Sequence, residues 1–175
     1  MKIKTAYTVA MKIAQETVKF LKPHCTRIEI AGSLRRLMPE VGDIELVAIP
    51  VFFPDMFGER SSDHELNYLD YSPIGKLIMN GPKQKKIELH AGITLDLFIV
   101  TPPAQYGVIM LLRTGPENYS HRLVTKKSHG GSMPAHMRMD GGALRIGNKI
   151  IETPEERDVY EALGKKYVEP NRRTL

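Results

Sequence analysis

Three acids set in two apolar segments are the residues best suited to chemistry. Asp43 and Glu45 stand two apart in Asp43-Ile44-Glu45-Leu46-Val47-Ala48-Ile49-Pro50, and Asp96 stands in Leu95-Asp96-Leu97-Phe98-Ile99-Val100. Both segments read as strands. Side chains alternate across a strand, so Asp43 and Glu45 share one face while Ile44 and Leu46 take the other. A carboxylate inside an apolar strand is costly unless a charge or a metal compensates it. If the two strands are neighbours, three carboxylates converge. Such a set can hold two Mg²⁺ ions roughly 3.5–4 Å apart, the arrangement that clamps the attacking and leaving oxygens of phosphoryl transfer. Mg²⁺ takes oxygen ligands and leaves room for substrate phosphates, and Mn²⁺ suits the same donors. A plainer reading stands beside this one: Asp43 and Glu45 as a solvated strand end, Asp96 paired with a buried arginine.

Gly32-Ser33 tips the balance. It directly follows the alternating segment 26–31 (TRIEIA), where a glycine lets the backbone approach a phosphate and successive N–H groups form an anion nest. Ser33 adds a hydroxyl, and Arg35 and Arg36 add guanidinium groups suited to bidentate phosphate contact. Gly42 precedes the first carboxylate. A lone Gly-Ser is an ordinary turn. Gly-Ser, then Arg-Arg, then Gly-Asp-x-Glu on the next strand supplies successive parts of one chemistry.

The elements that must position these groups are legible in outline. Residues 5–22 carry apolar residues at helical spacing, with Pro23 as the stop. Residues 26–31 and 43–50 read as strands. Residues 51–72, with Pro54, Gly58, Ser61 and Ser62, read as a surface excursion. Pro73 suits the first turn of a short helix over 73–80. Residues 85–91 and 94–100 read as a hairpin around Ala91-Gly92-Ile93. Residues 103–112 read as a helix broken at Thr114-Gly115-Pro116, with another running from Pro116 to His129. Short β-like pieces follow Gly130-Gly131, and Thr153 with Glu156 reads as the capping box of a last helix. The expectation is an α+β chain in two parts, 1–115 and 116–175.

The 175 residues carry a net charge of +5 and a pI of about 9.3, which fits a polyanionic partner. The single cysteine, Cys25, excludes an intrachain disulfide and a cysteine-based zinc site and reads as a small buried residue. No segment reads as a signal peptide or a membrane span, so a cytoplasmic location is expected. His121, His129 and His136 fall on unrelated elements, and Met133, Met137 and Met139 read as packing residues.

Gly32-Ser33-Leu34-Arg35-Arg36 followed by Gly42-Asp43-Ile44-Glu45 resembles the signature of the family X DNA polymerases, the polymerase β superfamily of nucleotidyltransferases. Leu95-Asp96-Leu97-Phe98 resembles the strand bearing that family's third catalytic carboxylate. Arg113-Thr114-Gly115-Pro116 resembles its Thr-Gly-Ser turn, and Tyr167-Val168-Glu169-Pro170 its closing segment. The resemblance implies a nucleotidyltransferase palm, a mixed sheet with flanking helices over 1–115, followed by a small α+β subdomain that closes on nucleotide and DNA. It implies Asp43, Glu45 and Asp96 as catalytic ligands of two Mg²⁺ ions, with Asp96 closest to the primer 3′-hydroxyl. It further implies Gly32, Ser33, Arg36, Gly42, Arg113 and Gly115 as nucleotide-binding residues. About 30 residues precede Gly32, too few for the lyase and helix-hairpin-helix regions of larger members, so a minimal form that grips DNA by charge is expected. Lys83, Lys85, Lys86, Arg122, Lys126, Lys127 and Arg138 are the candidates, each of which also reads as an ordinary surface cation.

Two departures stand out. Glu45 occupies a position where the family usually has Asp, and Leu112-Arg113 replaces an aromatic pair beside the sugar. The implied activity is Mg²⁺-dependent addition of a deoxynucleotide, from the triphosphate, to the 3′-hydroxyl of a primer-template or gapped DNA duplex, in gap filling or repair, by a monomer. The alternatives are a template-independent transferase with another acceptor and a non-catalytic nucleic-acid-binding module.

Overall fold

In the computed structural model, which describes residues 4–57 and 60–173, a two-residue strand β1 (Thr5–Ala6) leads into helix α1 (Tyr7–Leu21). The buried residues of α1 are Ala10, Ala14, Thr17 and Leu21. Their spacing of three and four places them on one stripe. Thr17 stays satisfied there because its hydroxyl donates to the Ile13 carbonyl at 2.8 Å. Lys22–His24, carrying Pro23, form a single tight turn that ends the helix and feeds strand β2 (Cys25–Ile30).

The short helix α2 (Gly32–Arg35) and strand β3 (Glu40–Val41) connect β2 to β4 (Asp43–Pro50). A hairpin of β5 (Phe52–Pro54) and β6 (Arg60–His64) follows, then β7 (Gly75–Asn80), β8 (Gln84–Leu89) and β9 (Thr94–Ile99). Five of these strands form a mixed sheet in the order β2-β4-β9-β8-β7, with β4 and β9 parallel and the other pairs antiparallel. Its core face carries Ile44, Leu46, Leu95, Leu97, Ile87 and Leu89, clustered with the buried residues of α1. Each such side chain contributes roughly 1.5–3 kcal/mol by leaving water. A one-residue slip of β4 or β9 would expose that whole set, so the register is strongly fixed.

Two expectations for this part change. The segment 73–80 is mostly strand: Pro73 sits in a turn closed by Ile74 N–H and Gly75 N–H on the Tyr71 carbonyl, and β7 then pairs with β8. Gly75 lies so close to the Glu88 backbone that a Cβ would stand 2.2 Å from its carbonyl oxygen. A short apolar run is compatible with either element, and here tertiary pairing decides. The excursion over 51–72 is not wholly a surface feature, since His64, Leu66 and Tyr71 are buried. Gly58 lies outside the described residues.

The chain divides into two compact units, Met1–Thr101 and Pro102–Leu175. The division falls ahead of α3 (Tyr106–Thr114), not after it. Val108 and Leu111 of α3 join one cluster with Leu123 and Val124 of α4 (Glu117–Val124) and with Val159 and Tyr160 of α5 (Glu156–Ala162). Between α4 and α5 runs an antiparallel meander of β10 (Met137–Asp140), β11 (Ala143–Ile146) and β12 (Lys149–Ile151).

The cap of α5 also differs from expectation. Glu155 is the N-cap, in a capping box with Asp158, whose Oδ2 accepts the Glu155 N–H at 2.7 Å. Glu156 is instead buried and ion-paired with Arg173 at 2.7 Å. The Arg173 guanidinium also lies 5.7–5.8 Å from the rings of Tyr119, Tyr160 and Tyr167. Cys25 is partly buried, and burial, helped by the nearby Glu65 charge, pushes its thiol up to about 12. It is therefore no nucleophile at neutral pH. No helix among the described residues is long and apolar enough to cross a membrane.

Candidate active site

The face of the sheet opposite the core carries the acids at one end, with Val47 and Phe98 buried farther along it. β4 presents Asp43 and Glu45 there because Ile44 and Leu46 are committed to the core. β9 is the parallel neighbour of β4, and its register sets Asp43 beside Thr94 and Glu45 beside Asp96. Register partners on adjacent strands point to one face, so all three carboxylates stand on the same side of adjacent strands. On the outer flank, β2 adds an Arg27–Glu29 ion pair at 2.7 Å.

Gly32 meets this face directly. It has φ +63°, a region open to glycine at little cost. A Cβ on it would stand 1.8 Å from Glu45 Oε2 and 3.1 Å from Glu45 Cβ. The Glu45 carboxylate therefore occupies the space that the missing side chain leaves. The backbones are tied as well, Ala31 N–H donating to the Glu45 carbonyl at 2.8 Å.

The first internal bonds of α2 run from Arg35 N–H to the Ala31 carbonyl and from Arg36 N–H to the Gly32 carbonyl. The N–H groups of Gly32, Ser33 and Leu34 precede them and are the ones a helical turn cannot satisfy internally. Beyond Arg36, Leu37 holds a positive φ of 59°. Met38 N–H donating to the Ser33 carbonyl at 3.0 Å closes this strained turn. Ser33 and Arg36 are half-buried in it, and Gly42 is half-buried at the entry to β4.

Asp96 is 7% exposed and is compensated by protein groups. Gln84 Nε2 donates to its Oδ1 at 2.9 Å, and Lys86 Nζ lies 3.4 Å from the same oxygen. The buried-arginine reading of Asp96 therefore gives way to a lysine and an amide, both from β8. Among the described residues no three carboxylate, histidine or cysteine groups are drawn together closely enough to enclose an ion. The geometry gives the reason: Glu45 rests over Gly32 on the β2 side and Asp96 turns to β8 on the other. All three acids are oxygen donors on one face, a set that fits Mg²⁺ or Mn²⁺.

The basic candidates separate sharply. Lys85 is 1% exposed on the core face, where its ammonium donates to Asn67 Oδ1 at 3.3 Å and to Asn80 Oδ1, and burial lowers its pKa. Buried there, it is not the surface cation that the sequence suggests. Lys86 faces Asp96. Lys83 is exposed in the turn before β8.

Arg113, Gly115, Arg122, Lys126, Lys127 and Arg138 belong to the second unit. Arg113, Arg122, Lys127 and Arg138 are exposed there and Lys126 is half-buried. Gly115 ends α3 with φ +65°, its N–H on the Leu111 carbonyl at 3.2 Å. Arg122 lines a cavity of about 410 Å³ together with Lys165 and Lys166, over a floor that includes Tyr119, Tyr160 and Val168. None of these three cations is ion-paired among the described residues. Gln84, Lys165 and Lys166 were not singled out by the sequence. The Lys165-Lys166 pair was a visible signal, whereas Gln84 becomes one only through the β8–β9 register.

Comparison of the chain with models of known protein families and with curated proteins returns no match.

Proposed function

We propose that the chain is a metal-dependent nucleotidyltransferase that adds a deoxynucleotide to a DNA 3′-hydroxyl, acting as a minimal family X-like polymerase. One observation carries the reading: Asp43, Glu45 and Asp96 share a face on adjacent parallel strands, with the Glu45 carboxylate seated on the glycine of the Gly32-Ser33 turn. Three oxygen-donor acids beside a turn with N–H groups to spare supply both halves of phosphoryl transfer, charge neutralisation and phosphate grip.

In this reading the first unit is the nucleotidyltransferase palm. Asp43, Glu45 and Asp96 would hold two Mg²⁺ ions, which when bound would lower the pKa of the attacking hydroxyl and offset charge on the phosphate. The N–H groups and hydroxyl of Gly32-Ser33 hold the triphosphate, and the Arg36 guanidinium neutralises it. Gly42 allows close backbone approach at the start of β4. Asp96 orients the primer hydroxyl and receives its proton as the oxygen attacks the α-phosphate and pyrophosphate leaves. DNA is held by cations: Lys83 in the first unit, and Arg122, Lys126, Lys127 and Arg138 in the second, with Lys165 and Lys166 beside Arg122.

The test supplies a gapped duplex, Mg²⁺ and each deoxynucleotide triphosphate singly to wild type and to Asp96→Ala. Template-matched extension by the wild type, lost in the variant, is the expected result. Extension indifferent to the template would make the chain a template-independent transferase. Tight DNA binding without incorporation on any acceptor would leave only a binding module.

A further inference from the structure

Asp96 is held from one side. Both groups that touch it, Gln84 and Lys86, come from β8 and reach the same oxygen, Oδ1. No donor among the described residues reaches Oδ2. Lys86 is the register partner of Asp96, and Gln84, two residues earlier, is the partner of Phe98. Residues two apart on a strand share a face. β8 therefore supplies a polar pair on one flank of Asp96 while β4 supplies Asp43 and Glu45 on the other.

We infer that Gln84 and Lys86 are positioning residues for Asp96. Gln84 fixes the plane of the carboxylate through Oδ1, so that Oδ2 is the oxygen offered to the divalent ion and the primer hydroxyl. Lys86 is a built-in counter-ion that offsets the charge of the buried carboxylate when no ion is bound. This inference rests on the proposed reading of Asp43, Glu45 and Asp96 as the metal site.

The two residues act on the ion with opposite signs. An amide that already holds a ligand in one orientation removes freedom the ligand would otherwise lose, so Gln84 strengthens ion binding, as groups behind metal ligands do. An ammonium 3.4 Å from a ligand oxygen repels a divalent cation, so Lys86 weakens it. The lysine side chain is 38% exposed. Solvent screening of such a pair limits its effect to a factor of about two to five. Removing the Gln84 amide costs about tenfold in affinity, the lower end of what deleting such a supporting group does. A purely structural role predicts neither change, only a lower melting temperature.

The experiment uses the full chain and Mn²⁺ alone as the probe. Free Mn²⁺ is followed by electron paramagnetic resonance for wild type, Gln84→Leu, Lys86→Met and Asp96→Ala, and thermal unfolding is recorded in parallel. The expected result is weaker binding in Gln84→Leu, tighter binding in Lys86→Met and a lost or strongly weakened site in Asp96→Ala. In nucleotide addition, Gln84→Leu should lower kcat more than it changes KM for the triphosphate. Gln84→Met, which keeps the chain length, replaces Gln84→Leu if that variant does not fold. Wild-type Mn²⁺ affinity in both β8 variants, or shifts of the same sign, overturns the inference while leaving the metal site standing. Unchanged affinity in Asp96→Ala overturns the metal site itself, and the inference with it.

Discussion

Glu45 and Gly32 show how closely one residue can depend on another across a turn. Alanine at position 32 would need a left-handed backbone, at a cost of roughly 1–2 kcal/mol, and its Cβ would claim the space of the Glu45 carboxylate. The side chain of Glu45 is flexible enough to move, so the fold should survive and the chemistry should not. In the proposed reading, Gly32→Ala is expected to retain a wild-type circular dichroism spectrum while nucleotide addition falls on the order of 100-fold, the usual consequence of shifting a reacting group by about an ångström. Retained activity in a folded Gly32→Ala protein would detach Glu45 from the chemistry. At this scale the sequence was informative where a short-range rule applied. The face shared by Asp43 and Glu45 follows from the period of a strand, and the glycine from its place before a serine and two arginines. Gln84 and Lys86 were not legible as partners of Asp96, because only the pairing of β8 with β9 decides which of four consecutive polar residues, Lys83 to Lys86, faces the acid.

The β5–β6 hairpin shows what an element can bury at its foot. His64 is 1% exposed, its Nδ1 has no hydrogen-bond partner among the described residues, and Phe52 meets its ring edge-on at 5.8 Å. Burial, and then the charge of Lys85, lower its pKa below 6.5, against an opposing pull from Asp63. A histidine lowered in this way is neutral in the fold, while the unfolded chain takes up a proton first. The ∼6.5 of the unfolded state therefore marks the onset of the effect. Stability is fully present above that pH and is lost as pH falls through it toward the lower folded value. Thermal melts across pH 5 to 8 should show this acid limb in the wild type and a flatter one in His64→Phe. Equal limbs would assign the acid sensitivity to other groups. The sequence placed this segment at the surface because its prolines, serines and acids are turn formers. Its buried residues come one at a time and carry no period. The same limit misread 73–80, where a proline suited to a helix start begins a turn into an edge strand.

At the level of the molecule, charge is divided unevenly between what is displayed and what is hidden. The cations of the 410 Å³ cavity in the second unit are displayed, and Lys85 is hidden. In the proposed reading, DNA affinity should therefore fall with salt through the displayed cations, those of the cavity among them, and not through Lys85. Replacing Arg122, Lys165 and Lys166 together by alanine should flatten the plot of log affinity against log salt by about 2–3, close to one for each phosphate no longer neutralised. Lys85→Met should leave the slope unchanged, and a slope that responds to Lys85 but not to the triple variant would reverse the assignment. The two-part organisation was legible, and its boundary was not. Thr114-Gly115-Pro116 interrupts the chain as a linker would, but Val108 and Leu111 commit the preceding helix to the second core.

The two faces of β4 and β9 have a consequence for how such a chain can change over generations. In the proposed reading, what it needs to hold its shape and what it needs to act alternate letter by letter along the same strands: Ile44 and Leu46 for one, Asp43 and Glu45 for the other. A lineage can therefore lose the acids without disturbing the scaffold, or keep them while its apolar letters drift among similar sizes. Descendants with this fold and different letters at 43, 45 and 96 would have inherited the architecture without the trade.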